Sequence, residues 1–179
     1  MEIVVSKATL DDIESLIAVY KTDGQKHARA LETYPLHEWI MDPKYSFNIA
    51  KVSKTPVGFL FTRKKGDEAK IDMFCVVKKY KGKGVEKRLL EAAEKTEETP
   101  KITTYVPKSD KALLNVFKKQ GYVIYNEVKG LFGDDEHGLY LIKSIVKQPA
   151  ARRKLTKSER AAKSFLDENL GKLDIYLKP

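Results

Sequence analysis

Cysteine occurs once in the 179 residues, at Cys75. A single thiol excludes an intramolecular disulfide and any cysteine-based metal cluster, and it fits a reducing compartment. Histidine is almost as scarce. His27, His37 and His137 lie far apart, with no metal-ligand spacing to one another or to Cys75, so no metal is expected. No run of about 18 apolar residues occurs, which excludes a membrane-spanning helix. The opening MEIVVSKATL lacks a cationic leader ahead of a long apolar stretch, so the chain is expected to be cytoplasmic, with no membrane partner. Asn and Gln are few beside Lys and Glu, a bias that thermophilic proteins share. Internal repeats and low-complexity tracts are absent.

The balance of 42% hydrophobic and 33% charged residues is that of a soluble globular protein with a charged surface, not of a disordered chain. The length suits one buried core with a short appendage. A formal charge of +9 favours anionic partners such as nucleotide phosphates, nucleic acid or an acidic protein, and a solvated lysine-rich surface would give the same number.

Along the chain, a short apolar strand, EIVVSKA, is followed by Thr9 as N-cap and by Asp11 and Asp12, opening a helix with Ile13, Leu16, Ile17 and Tyr20 on one face. Between Thr22 and Tyr45 the pattern weakens, leaving room for short helices around KHARALE and LHEWIM. SFNIAKV, VGFLFTR and AKIDMFCVV then read as an antiparallel meander. A helix is expected from Val85 to Glu97, buried through Val85, Leu89, Ala92 and Ala93 and ended by Pro100. The strand KITTYV and a helix from Asp110 to Gln120 follow, the latter with a Leu113, Leu114, Phe117 stripe and Gly121 just past its end. YVIYNEV and HGLYLIKSIV close as a hairpin. The order is β, α, α, β, β, β, α, β, α, β, β, an α/β (α+β) chain over residues 1–147 with a basic helical extension over 148–179.

The stretch YKGKGVEKRLLEAAEK places two glycines one residue apart at the start of a helix. Such a turn leaves main-chain N–H groups unpaired and aims the positive end of the helix dipole at the same point, which suits an anion. Gly82 and Gly84 let a ligand's oxygens approach the backbone, and Lys81 and Lys83 add charge. The Walker pattern is absent, and the dinucleotide fingerprint needs a third glycine where Lys87 stands. With its preceding meander and the strand and helix that follow, the chain resembles the GNAT superfamily of acetyl-CoA-dependent N-acyltransferases. The family signature Q/R-x-x-G-x-G/A falls on Lys81-Gly82-Lys83-Gly84-Val85-Glu86, after the strand IDMFCVV, and DKALLNVFKKQGYVIYNEV is similar to the second family segment, where a helix ends in a glycine-aromatic pair. The resemblance covers about residues 1–147. It implies a mixed, mainly antiparallel sheet flanked by helices, acetyl-CoA as cofactor, and a diphosphate site formed by Val76, Val77, Lys81, Gly82, Lys83, Gly84, Val85 and Glu86. Two positions depart from the family pattern: Lys81 replaces Arg or Gln, and Glu86 replaces a small residue, placing a carboxylate beside the diphosphate.

Acyl transfer needs a neutral amine, and with a lysine-like pKa of about 10.4 only about one amine in two thousand is neutral at pH 7. The family often carries a carboxylate on the fourth strand, and Asp72 is the acidic side chain inside that strand here. Asp72 is therefore the candidate base. It could instead sit on a wet strand face or pair with a lysine, and a one-residue bulge would change which face it takes. At the position where the family has a tyrosine as general acid the chain has Phe117, which holds no proton to give. Tyr80, Tyr105 and Tyr122 are the substitutes, each with a structural role as its alternative. A backbone N–H near Val76 would meet the oxyanion. Tyr34, His37 and Trp39 fall in the segment that shapes the acceptor pocket in the family, although Trp39 could equally close the core. Cys75 reads as a small buried thiol.

From Lys147 to Lys163 seven lysines and arginines face the single carboxylate Glu159. Thr156 and Glu159 have capping-box spacing for a helix from Lys157 to about Asn169. That helix would dock through Phe165, Leu166 and Leu170 on its own domain or a second subunit, or contact phosphates. Three functions compete: an N-acetyltransferase acting on an amine-bearing small molecule or protein, a GNAT-like module that binds acyl-CoA without turnover, and a nucleic-acid-associated protein using the tail. A homodimer remains open, and nucleic acid is the less favoured partner.

Overall fold

The computed structural model describes residues 2–23, 34–97 and 99–145. The elements are β1 (Val4–Lys7), α1 (Ile13–Asp23), α2 (Leu36–Met41), β2 (Tyr45–Val52), β3 (Thr55–Lys65), β4 (Glu68–Val76), α3 (Val85–Thr96), β5 (Lys101–Pro107), α4 (Lys111–Lys119), β6 (Val123–Val128) and β7 (Gly138–Ser144). The helices expected around KHARALE and from Lys157 onward lie outside the described residues, as does His27.

The strands form one sheet in the order β1-β2-β3-β4-β5-β7-β6. Every neighbouring pair is antiparallel except β4 and β5, which run parallel with α3 as the crossover. Helices cover both faces of the central strands, which is why β3 is buried without interruption from Val57 to Thr62 rather than at alternate residues. One face seats Ala50, Leu60, Ile71, Val76 and Leu141 against Leu89 and Leu90 of α3 and Phe117 of α4. The other packs Phe47, Ile49, Phe59, Phe61 and Cys75 against Leu16, Val19 and Tyr20 of α1 and Leu36 of α2.

A bulge in β4 decides which residues face which layer. Phe61 pairs with Met73 and Thr62 with Ile71, so Asp72 is the extra residue between them. On the C-terminal side of the bulge Cys75 joins the α1 layer, while on the N-terminal side the odd-numbered Ile71 and Ala69 join the α3 layer. Simple alternation would have put all three on one face.

Local chemistry sets the helix ends. Asp12 accepts from the Thr9 amide at 3.0 Å, the half of a capping box in which the third residue of the turn answers the N-cap backbone. Asp110 caps α4 by accepting from the Leu113 amide at 2.9 Å. At the other end of α4 Gly121 is left-handed, with φ +83°. Its N–H donates to Lys118 and that of Tyr122 to Phe117, the paired bonds of a Schellman ending. On α3 the buried residues are Val85, Glu86, Leu89, Leu90 and Ala93. Leu90 and Glu86 therefore stand in the buried stripe, and Ala92 is half-buried at its edge. No helix among the described residues is long and apolar enough to cross a membrane.

Candidate active site

The parallel ladder between β4 and β5 runs only from Glu68–Lys101 to Ile71–Thr104. Beyond it residues 72–76 of β4 and 105–107 of β5 are not paired with each other, while β4 stays joined to β3 and β5 to β7. The sheet therefore opens at its middle, and Asp72 stands at the point of parting. As a residue it is exposed, yet its side chain keeps only 19% of its surface, so the exposed part is the main chain at the bulge. Both carboxylate oxygens are engaged: Arg63 Nε lies 2.9 Å from Oδ2 and Lys70 Nζ 3.0 Å from Oδ1. Lys70 also sits 5.0 Å from the centre of the Tyr105 ring. Pairing with a lysine, one of the alternatives open to Asp72 in the sequence, is thus observed, and Arg63 joins it.

The chain leaves β4 through Val77, whose amide donates to Val57 O at 2.9 Å and whose carbonyl accepts from Tyr80 at 2.8 Å. Both main-chain groups of Val77 are thereby used. A short 3-10 turn, Lys78–Tyr80, leads to Gly82 and Gly84, at φ +72° and +90°. Side chains rarely adopt this conformation, and a Cβ at Gly82 would meet nothing within 4 Å, so the loop presents open backbone there. Gly84 is the N-cap of α3, and the first intrahelical bond runs from Arg88 N to Gly84 O at 3.1 Å. The amides of Val85, Glu86 and Lys87 precede it and have no carbonyl to meet within the helix. Glu86 turns back over this turn, and its Oε1 accepts from the Gly82 amide at 2.8 Å. Val85 is fully buried and Glu86 is 8% exposed. Lys81, Lys83 and Lys87 are exposed.

Other proposed participants separate clearly. Phe117 is fully buried, in edge contact with Phe74 and Tyr122 at 5.6 and 5.0 Å. Tyr122 is also buried, and its hydroxyl meets no partner among the described residues. Burial first, then the nearby Glu94, pushes its phenol far above the ordinary value, which makes it a poor proton donor. Tyr80 carries Lys79 and Lys83 over its ring, at 5.0 and 5.9 Å. Trp39 stacks on Phe61 at 5.0 Å, with Tyr34 and Tyr45 beside it, so it closes the core on the α2 side. His37 is exposed and Cys75 buried. Among the described residues no group of three His, Cys, Asp or Glu could hold a metal ion.

At the far end of β5 lies an open depression of about 360 Å³, lined by Lys108, Ser109, Lys111, Asp135, Glu136 and His137. On its edge Glu127 accepts from Lys108 at 2.8 Å and contacts His137 Nδ1 at 2.6 Å. Lys108 first, and then His137, holds the Glu127 carboxyl below the usual carboxylate range.

A left-handed glycine turn that leads from the meander strand β4 into α3 is the arrangement on which the sequence resemblance rests, and the comparison with known families agrees. The family model described as an acetyltransferase (GNAT) domain matches residues 16–129. The chain belongs to the GNAT acetyltransferases. The GNAT fold is equally evident in solved structures. The ribosomal-protein-S18-alanine N-acetyltransferase of Escherichia coli superposes with a TM-score of 0.72 at 14% identity, over 85% of this chain and 99% of that one. Ard1 of Thermoplasma volcanium gives 0.70 at 19% identity, over 82% and 100%. The PaiA N-acetyltransferase of Thermoplasma acidophilum, solved with coenzyme A, gives 0.65 at 19%, over 80% and 99%. No curated protein sequence matches the chain. At such identities the structural likeness establishes the GNAT fold and leaves the acceptor open.

Two contacts of this GNAT site were missed in the sequence. The pairing of Asp72 with Arg63 depends on the bulge, which has no local signature. The return of Glu86 to Gly82 did carry a signal, because a carboxylate in the first helical turn, four residues after a glycine, is placed to answer that glycine's amide.

Proposed function

We propose that this chain is an N-acetyltransferase that passes an acetyl group from acetyl-CoA to an amine by direct attack. The observation that carries the reading is the left-handed Gly82–Gly84 turn at the start of α3, immediately past the place where β4 parts from β5. Its open backbone and first-turn amides suit a diphosphate. Lys81, Gly82, Lys83, Gly84, Val85 and Glu86 form that cradle, Val85 and Glu86 through their first-turn main-chain amides. Val76 leads into it, and Val77, whose main-chain groups are committed, contributes only its side chain. Acetyl-CoA supplies an acetyl group activated as a thioester, whose thiol leaves readily. Asp72 takes the proton of the attacking amine, directly or through a water, after one of its two cations moves aside.

A second reading, acyl-CoA binding without turnover, is favoured by Phe117, which is sealed in the core where the family places its proton donor. Thermal melts with acetyl-CoA, run beside a thiol-release assay over a panel of amines, separate the two. Stabilisation with thiol release is the expected outcome. Stabilisation with no release from any amine supports the binding module, and no stabilisation overturns both.

A further inference from the structure

The cradle is answered from within by a carboxylate, and this bears on how a diphosphate enters. Glu86 is 92% withdrawn from solvent, being 8% exposed. A buried carboxylate needs a counter-charge or hydrogen bonds to offset its lost hydration. Glu86 forms no ion pair with any described residue. The two cations that follow it, Lys87 and Arg88, turn instead to Glu91, at 3.7 and 3.8 Å. What compensates Glu86 is the Gly82 amide at 2.8 Å and the positive end of α3. These are the same groups that would compensate a phosphate. A small residue at this position, as in the family pattern, would leave them to the ligand.

We infer that Glu86 competes with the diphosphate for the Gly82 amide, so that the side chain must swing out of the cradle as the cofactor binds and thereby lowers cofactor affinity. The inference rests on the proposed function, since it takes acetyl-CoA as the ligand. Two alternatives remain for the same contact. Glu86 could brace the turn, and its loss would then weaken binding. It could also be indifferent to the ligand.

The experiment is calorimetric titration of the full chain, as wild type, Glu86→Ala and Glu86→Gln, with coenzyme A and with pantetheine, which lacks the diphosphate. Melting curves of each variant confirm that it is folded. Competition predicts that both substitutions tighten coenzyme A about tenfold or more, the scale of a charge-assisted hydrogen bond, and leave pantetheine unchanged. The glutamine keeps the length and an acceptor, so tightening by it isolates the charge, and it guards against a turn that collapses in the alanine variant. Weaker or equal coenzyme A binding in both variants would overturn the inference and leave the proposed function standing. An equal gain for pantetheine would overturn it too, by showing that the cradle is not where the change acts. If no variant bound coenzyme A, the proposed function would fail, and the competition with it.

Discussion

Asp72 gathers the most constraint of any single side chain in the opening of the sheet. Its two oxygens are divided between Arg63 and Lys70, which fixes the carboxylate where β4 leaves β5. The clamp holds the carboxylate at the opening, and the release of one cation frees the oxygen that comes within hydrogen-bond reach of the attacking nitrogen. Asp72→Asn preserves the shape and removes the proton acceptor. The expected result is a kcat lower by about 100-fold or more with an unchanged acetyl-CoA Kd; an unchanged kcat would take Asp72 out of the mechanism. Phe117 makes the opposite case. It fills the space between Phe74 and Tyr122 with no solvent exposure, so its truncation leaves a cavity where little can collapse. Phe117→Ala should cost about 3–5 kcal/mol in urea unfolding. A loss below about 1 kcal/mol would mean that the site relaxes and that the core is not what retains a phenylalanine there.

Among elements, an ion pair ties the turn that precedes α1 to β2. Lys51 of β2 reaches Asp12 at 2.7 Å, beside the Thr9 amide on the same carboxylate. Burial alone would raise the Asp12 carboxyl, but the Lys51 hydrogen bond, the Thr9 amide and the Lys51 charge outweigh it and hold the group below its ordinary value. A carboxyl depressed in the folded state contributes stability that is fully present above its unfolded value, near about 4, and is lost as the pH falls through the folded value. Lys51→Met should therefore destabilise the protein at about pH 6 and make progressively less difference below about pH 4. Urea unfolding of both proteins across that range checks this, and a pH-independent difference would assign the effect to packing of the lysine stem. The Schellman ending of α4 shows how element and residue meet: Gly121 turns the chain so that Tyr122 returns onto Phe117. The glycine-aromatic pair is explained by that closure without any role in chemistry.

For the whole molecule, the consequential feature is a sheet that is continuous at both ends and open in the middle. β3 holds β4 and β7 holds β5, so the opening between them is maintained by the rest of the fold. Mass action gives the global test. A ligand bound only by the folded state adds about 2.7 kcal/mol at a concentration about 100 times its Kd, so acetyl-CoA should raise the Tm in proportion to the logarithm of its concentration. A flat response up to millimolar cofactor would remove the cradle as a binding site. Element order, the antiparallel meander, the α4 stripe and the glycine turn were legible in the residues, because periodicity, caps and left-handed glycines are properties of neighbours along the chain. Contacts between distant residues were not. The face taken by Asp72 depends on a bulge set by pairing with β3, and Trp39 of α2 went to the core because it stacks on Phe61 of β3.

By itself the sequence determined the family, the order of strands and helices, and a helix start suited to an anion, since each follows from short-range backbone preference or from a motif carried on consecutive residues. Only the tertiary structure decided that Asp72 is clamped by two cations and that Phe117 is sealed away. Those depend on which surfaces are brought together and how much water they exclude, and such energies exist only once the chain has closed on itself.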